Sequence, residues 1–146
     1  PLILFKQKRI LYWGEKNQPF YFTTMDDTAN YAACVALDDN TPRYLRVAGD
    51  VKSAEELKEV IENLSGKPYK FFRPGRLNLL SGIIKIARII DPGKTNLYPA
   101  WQGMQYMRNM SDDRAILRTL DNSRYPELKW TSAKEVLEPH QAALNN

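Results

Sequence analysis

The pattern of apolar and polar positions is most informative between residues 19 and 39, where a short aromatic run leads into an alanine-rich segment. Phe20 to Thr23 is aromatic and β-branched, which is typical of a strand. Thr24 then opens a Thr-x-x-Asp sequence, which predicts a helix whose first turn is capped by the threonine hydroxyl. The following alanines recur at three- and four-residue spacing, which predicts close packing through a small-residue face: Ala29, Ala32, Ala33 and Ala36. The stretch therefore predicts a strand, a turn and a helix at the centre of the fold.

Three other short segments have the composition of strands. They are Ile10 to Trp13, Arg43 to Ala48, and Tyr69 to Phe72. Gly14 to Gln18 supplies turn-forming residues, so we expect a hairpin between the first of these segments and the strand at Phe20.

Four helices follow from capping signals and apolar spacing. Ser53-x-x-Glu56 is a capping box, and the positions behind it form one apolar face: Leu57, Val60, Ile61 and Leu64. Gly66 is suited to end that helix in the left-handed conformation. A second helix, from Leu77 to Ile90, is apolar around most of its circumference, so we expect neighbours on more than one side. A third begins at Pro99, and a fourth follows Ser132-x-x-Glu135. Asp121 to Trp130 is expected to be an irregular surface segment.

Composition limits the classes of function. A chain of 146 residues fits one domain, residues 1 to 146, with a net charge of +4 and one cysteine, Cys34. The charges are mixed in sign, so nucleic-acid binding is not expected. The apolar run near the start is too short to span a membrane and does not have the order of a signal peptide, and the lone cysteine is compatible with a cytoplasmic protein.

Several segments in the same order resemble NmrA-like proteins, atypical members of the short-chain dehydrogenase group. They are Ile10 to Gly14, Phe22 to Ala29, Leu45 to Asp50, Ser53 to Leu57, Gly66 to Pro68, Tyr98 to Gly103, and Asp121 to Pro126. The resemblance implies a two-part fold with a nucleotide-binding Rossmann half and a smaller substrate-side half, of which this chain would be the second part. The expected fold class is α/β, with a small mixed sheet covered by several helices.

The glycine-rich signature of nucleotide binding is missing from the sequence. The seven glycines are separated, so no Gly-x-Gly-x-x-Gly cluster can bring backbone close to a pyrophosphate, and no cofactor-binding residue is predicted. Two tyrosines have a lysine four positions later, Tyr12 with Lys16 and Tyr125 with Lys129, and both pairs lie outside the predicted helices. His140 has no second histidine to share a metal. The acidic pair Asp26 and Asp27 is explained by the helix start alone. No catalytic residue can be assigned, and NAD(P) is implied only for a full-length parent.

One helix face could line a substrate pocket. It carries large aromatic and flexible thioether side chains, which suit a flat small molecule: Tyr98, Trp101, Met104 and Met107. The competing interpretation is a core or oligomer face. From the residues alone the core or oligomer face is preferred. The resemblance moves the balance part of the way back towards the pocket, because NmrA-like proteins place their substrate crevice between the two halves.

Two functions from different classes remain open. The first is the substrate-side or oligomerising part of an NmrA-like NAD(P)-linked oxidoreductase or redox sensor, which is not catalytically competent by itself. The second is a stand-alone binding or regulatory module without nucleotide chemistry. We expect the isolated chain to form a homo-oligomer, most simply a dimer, or else to pair with a Rossmann half.

Overall fold

A computed structural model describes residues 2–93 and 98–140. Its five strands and five α-helices follow one another as β1 Ile3–Leu4, β2 Arg9–Leu11, β3 Phe20–Phe22, α1 Met25–Ala36, β4 Asp50–Lys52, α2 Ala54–Ser65, β5 Lys70–Phe72, α3 Leu77–Ile90, α4 Ala100–Met110 and α5 Ala133–Leu137. Short 3-10 turns lie at Phe5–Gln7, Asp113–Ala115, Asn122–Arg124 and Glu138–His140. The α/β class is confirmed. None of the described helices is long and apolar enough to cross a membrane.

The strands form two small sheets. In the first, β2 lies between β1, which is antiparallel to it, and β5, which is parallel to it, with Ile10 opposite both Ile3 and Phe71. In the second, β3 pairs antiparallel with β4, and Tyr21 lies opposite Val51. The predicted hairpin between β2 and β3 is wrong, because both edges of β2 are already paired and β3 finds its partner in β4.

Helix α2 covers the first core cluster, which consists of Ile10, Phe20, Ala54, Ile61 and Tyr69. Its capping box is confirmed: the Glu56 backbone N–H donates to Ser53 Oγ at 3.2 Å, and the Ser53 N–H donates to Glu56 Oε2 at 2.7 Å. Gly66 ends the helix with a φ of 65°, as predicted. The burial of Leu57 and Ile61 shows that the apolar face was assigned correctly.

Helices α3 and α4 pack on each other around a second cluster. Leu80 and Ile84 of α3 are buried there with Trp13, and Met104 and Met107 of α4 pack against them. The opposite side of α3 is exposed, so the expectation of neighbours on more than one side is not met within the described residues.

Helix α1 begins as predicted, because the Asp27 N–H donates to Thr24 Oγ1 at 3.0 Å. The predicted packing face is wrong. All four alanines are exposed, and the helix instead buries Asp27 and Tyr31. The Tyr31 ring lies 5.1 Å from Tyr125 and 5.7 Å from Trp130, centroid to centroid. An aromatic side chain buries far more apolar area than an alanine, so Tyr31 determines which face turns inward.

The predicted strand from Arg43 to Ala48 is also wrong. This segment is irregular because side chains replace the partner strand. Asp121 accepts from the Arg46 N–H at 2.7 Å through its carboxylate, and the Asn122 side chain both accepts from the Ala48 N–H and donates to its carbonyl. The segment from Asp121 to Trp130 lies at the surface as predicted and is irregular apart from the 3-10 turn Asn122–Arg124; its first residues are hydrogen-bonded to Arg46 and Ala48.

Candidate functional site

A cavity of about 290 Å³ opens where β3 passes into α1, between α2 and α5. Its walls are mainly apolar and consist of Leu2, Ile3, Phe22, Thr23, Thr24, Leu57, Thr131, Ala133, Val136 and Leu137. None of these side chains is charged, so this part of the molecule offers no ionic partner to a ligand. The volume is about twice that of a cavity known to bind benzene, so one fused pair of rings is a suitable occupant.

The polar groups of the cavity are three threonines. Two of them already have partners, because Thr24 Oγ1 accepts from the Asp27 N–H and Thr131 Oγ1 donates to Asp27 Oδ1 at 3.0 Å. Thr23 is exposed at the mouth. A neutral ligand with one hydrogen-bonding group near Thr23 therefore suits this cavity better than an anion or a cation.

Asp27 holds the walls of the cavity together. Its side chain is 6% exposed, and its two carboxylate oxygens accept from the Thr131 N–H and the Thr131 hydroxyl, both at 3.0 Å. A Cβ on Gly49 would lie 3.0 Å from Asp27 Oδ2, so glycine permits the close approach of that backbone. The interpretation of Asp27 as a helix-start residue alone is therefore wrong. With both oxygens engaged, it acts as a tether between α1 and the segment before α5.

A second acid fixes α5 in the same way. Asp50, the first residue of β4, accepts a hydrogen bond from the Ala133 N–H through Oδ2 at 2.8 Å. This bond connects the first turn of α5 to β4. The Ser132 capping box is confirmed, and hydrogen bonds from Ser132 lower the pKa of the Glu135 carboxyl. The capping signals in the sequence located the starts of α1 and α5, but they did not show that Thr24, the cap of α1, and residues of α5 line one cavity.

The four predicted pocket residues lie elsewhere and do not line this cavity. Tyr98 is 83% exposed. Trp101 Nε1 donates to the Asp91 carbonyl at 2.9 Å, and the Arg88 guanidinium lies 4.9 Å from the centroid of its ring. Met104 and Met107 pack on the second core cluster. The structure thus places two of the four residues in a core role and leaves the substrate face as a prediction.

The remaining reactive side chains that the sequence offers form no metal-ligating cluster in the described part of the chain. No group of three metal-ligating side chains occurs within residues 2–93 and 98–140. Cys34 is half-buried and His140 is exposed. The Tyr69 hydroxyl is buried in the first core cluster, where desolvation raises its pKa and keeps it neutral.

The three strand-to-helix turns are not shaped for a pyrophosphate. Helices α1 and α2 each carry two acids in their first turn, and these negative charges occupy the positive helix ends. The turn before α3 contains one glycine, Gly75, and a Cβ built there would lie 2.6 Å from Leu79 Cδ2. The Leu79 side chain therefore lies against that glycine, and no second glycine is present in the turn.

The comparisons with known proteins relate this chain to one solved fold. No family model matches the sequence, and no curated protein gives a significant match. A crystal structure of isoflavone reductase superposes with a TM-score of 0.68 at 15% sequence identity. The match covers 90% of this chain but 43% of the reductase, so this chain spans less than half the length of that protein. The chain therefore shares the fold of a part of isoflavone reductase.

Proposed function

We propose that this chain is the substrate-side part of an NmrA-like, NAD(P)-linked reductase or redox sensor, and that it does not act on a substrate by itself. One observation carries the proposal: nearly all of this chain matches a reductase of more than twice the matched length. The missing portion of such a protein would supply the nucleotide site. The resemblance of several sequence segments to NmrA-like proteins supports the same proposal.

The first turns of the helices support the proposal that the nucleotide site lies outside this chain. A dinucleotide needs a glycine-rich turn at which backbone N–H groups and the positive helix end meet the pyrophosphate. In this chain the acids at the starts of α1 and α2 would repel a phosphate, and the turn before α3 has one glycine instead of a glycine-rich run. We therefore expect NAD(P) binding to need a second region of polypeptide.

The coding sequence upstream of Pro1 tests the proposal. We expect it to encode a strand, a turn with spaced glycines and a helix, in frame with this chain. An upstream region without that element would contradict the assignment as half of a reductase.

A second candidate is a stand-alone module that binds a small neutral molecule. The cavity bordered by β3 and α5 favours it, because residues of this chain supply its walls and those walls are uncharged. Titration with 2-naphthol, followed by its fluorescence, measures binding. Ala133→Leu should fill the cavity and weaken binding at least tenfold, whereas Ala36→Leu, on the exposed face of α1, should leave it unchanged. Equal affinity in both variants would place the probe outside this cavity.

A further inference from the structure

The side of α3 that faces away from the core carries a continuous apolar stripe. We define the outer stripe of α3 as Leu79, Ile83, Ile86 and Ile90, all of which are exposed. Their spacing of four, three and four residues is that of the a and d positions in a coiled coil. Ile86 is 60% exposed and Ile90 is 78% exposed, so the stripe is open along the whole helix.

The helix that presents this stripe is firmly held from behind. Leu80 and Ile84 are buried against Trp13, and Arg108 Nε of α4 donates to Ser81 Oγ at 3.3 Å. The outer stripe is therefore a separate surface on an anchored helix. Turning α3 to hide the stripe would expose the residues that form the second core cluster.

We propose that the outer stripe of α3 pairs antiparallel with the outer stripe of a second copy of this chain. One edge of the stripe is self-complementary. Ile89 projects there with 81% of its surface exposed, and Gly82, one heptad earlier on the same edge, has no atom within 4 Å of a Cβ built on it. In an antiparallel pair like edges meet, so Ile89 of each copy lies beside the open space at Gly82 of the other.

A parallel pair would use the surface less well. It would place the edge that carries Gly82 and Ile89 against the other edge of the partner's stripe. That other edge carries Ala87 and Leu80, and Leu80 is already buried in the partner's own core. The antiparallel arrangement also sets the two helix dipoles in favourable opposition.

Charge permits contact between identical copies. The stripe and its two edges contain no charged residue. The two cations of α3, Lys85 and Arg88, lie more than about a third of a turn away from the centre of the stripe. The Arg88 guanidinium is also stacked on the Trp101 ring. Self-pairing therefore brings no like charges together at the seam.

The available area fits a weak but specific dimer. The stripe and Ile89 present about 500 Å² per copy, which is at the upper end of the largest apolar patches on ordinary monomers. A pair would bury about 1,000 Å² in total, close to the lower limit for specific interfaces. We therefore expect dissociation in the micromolar range or above. The pairing does not depend on the proposed reductase role, because every residue that forms it belongs to this chain.

Sedimentation equilibrium tests the pairing. The parent chain should reach twice its 16.9 kDa mass at high micromolar concentration. Ile86→Glu should raise the dissociation constant at least 100-fold and leave a monomer with an unchanged circular dichroism spectrum. Asn63→Glu is the matched control, since it adds the same charge at an exposed position of α2. A parent chain that stays monomeric at about 1 mM, or an Ile86→Glu variant that remains dimeric, overturns the proposal.

Disulfide trapping tests the orientation in a chain whose Cys34 is replaced by serine. In an antiparallel pair Leu79 of one copy lies near Ile90 of the other. An equimolar mixture of Leu79→Cys and Ile90→Cys chains should therefore form mixed disulfide dimers in preference to dimers of either variant alone. Efficient cross-linking of Ile90→Cys to itself would show a parallel pair and overturn the arrangement.

Discussion

Replacement of the buried Asp27 by alanine should destabilise the fold far more than replacement of its neighbour Asp26. Both acids lie in the first turn of α1 and interact alike with the helix end, but only Asp27 is buried and hydrogen-bonded to Thr131. The Thr24 cap is retained in both variants, because it uses the backbone N–H of residue 27. The pair of variants therefore isolates the tether from the helix start.

The magnitude follows from the two contacts. A hydrogen bond to a charged group contributes about 1.5–3 kcal/mol, and Asp27→Ala removes two of them. Thr131 is only half-buried, so water recovers a part of that loss. We expect a loss of about 2–4 kcal/mol in the free energy of unfolding. Asp26→Ala removes a favourable helix-end charge alone, which is a loss of about 0.3–1 kcal/mol.

Guanidinium chloride unfolding followed by circular dichroism measures both values. Asp27→Asn should lie between the parent and Asp27→Ala, because the amide keeps one acceptor for the Thr131 N–H. If Asp27→Ala and Asp26→Ala were equally stable within about 0.5 kcal/mol, the tether would contribute nothing and our account of how α5 is held would be incorrect.

Three further predictions concern the core, a cap and a surface cluster. Ile61→Ala should cost about 2–5 kcal/mol in the free energy of unfolding, because Ile61 is fully buried; an unchanged denaturation midpoint would contradict this. Ser53→Ala should cost about 1 kcal/mol through loss of the α2 cap, and calorimetry would show no shift in melting temperature if the cap were unimportant. Hydrogen bonds from Tyr125, from a backbone N–H and from Arg124 hold the pKa of Asp38 below its usual range. A lowered folded-state pKa contributes stability above the unfolded pKa, so that contribution should be lost as the pH falls below about 4. Urea unfolding at pH 7 and pH 3 should therefore show a smaller pH effect in Asp38→Asn, and an identical pH effect in both proteins would refute this cause.

Structural features that depend on neighbouring residues were predicted well from the sequence. The capping boxes at Ser53 and Ser132 and the left-handed Gly66 depend on contacts within four residues, so local chemistry is sufficient. The ends of α3 were also correct, because a long apolar run is limited by turn residues on both sides.

Structural features that depend on residues far apart in the sequence were predicted poorly. The hairpin was expected because β2 and β3 are adjacent in sequence, but β5 occupies the edge of β2 that a hairpin would need. The segment from Arg43 to Ala48 does not form the predicted strand, because the side chains of Asp121 and Asn122 accept hydrogen bonds from its backbone. These residues lie more than 70 positions away in the sequence, so no local pattern reveals the contact. The packing face of α1 was misjudged because alanine spacing was given more weight than a single tyrosine.

The candidate cavity was not predicted for the same reason. Its walls come from β1, β3, α2 and α5, which are far apart in the sequence and carry no shared motif. Asp27 looked like one of two equivalent acids, and only the fold distinguishes it from Asp26.

Nucleotide binding by the product of the complete coding sequence, compared with this chain alone, tests the central claim most directly. Calorimetric titration with NADPH and NADH should show binding of at least one cofactor to the complete product, with a dissociation constant of about 10 micromolar or tighter. The same titration of the isolated chain should show none, because its helix starts lack a glycine-rich cradle. Comparable binding by the isolated chain, or none by the complete product, would contradict the proposal that this chain is the substrate-side half of a reductase-like protein.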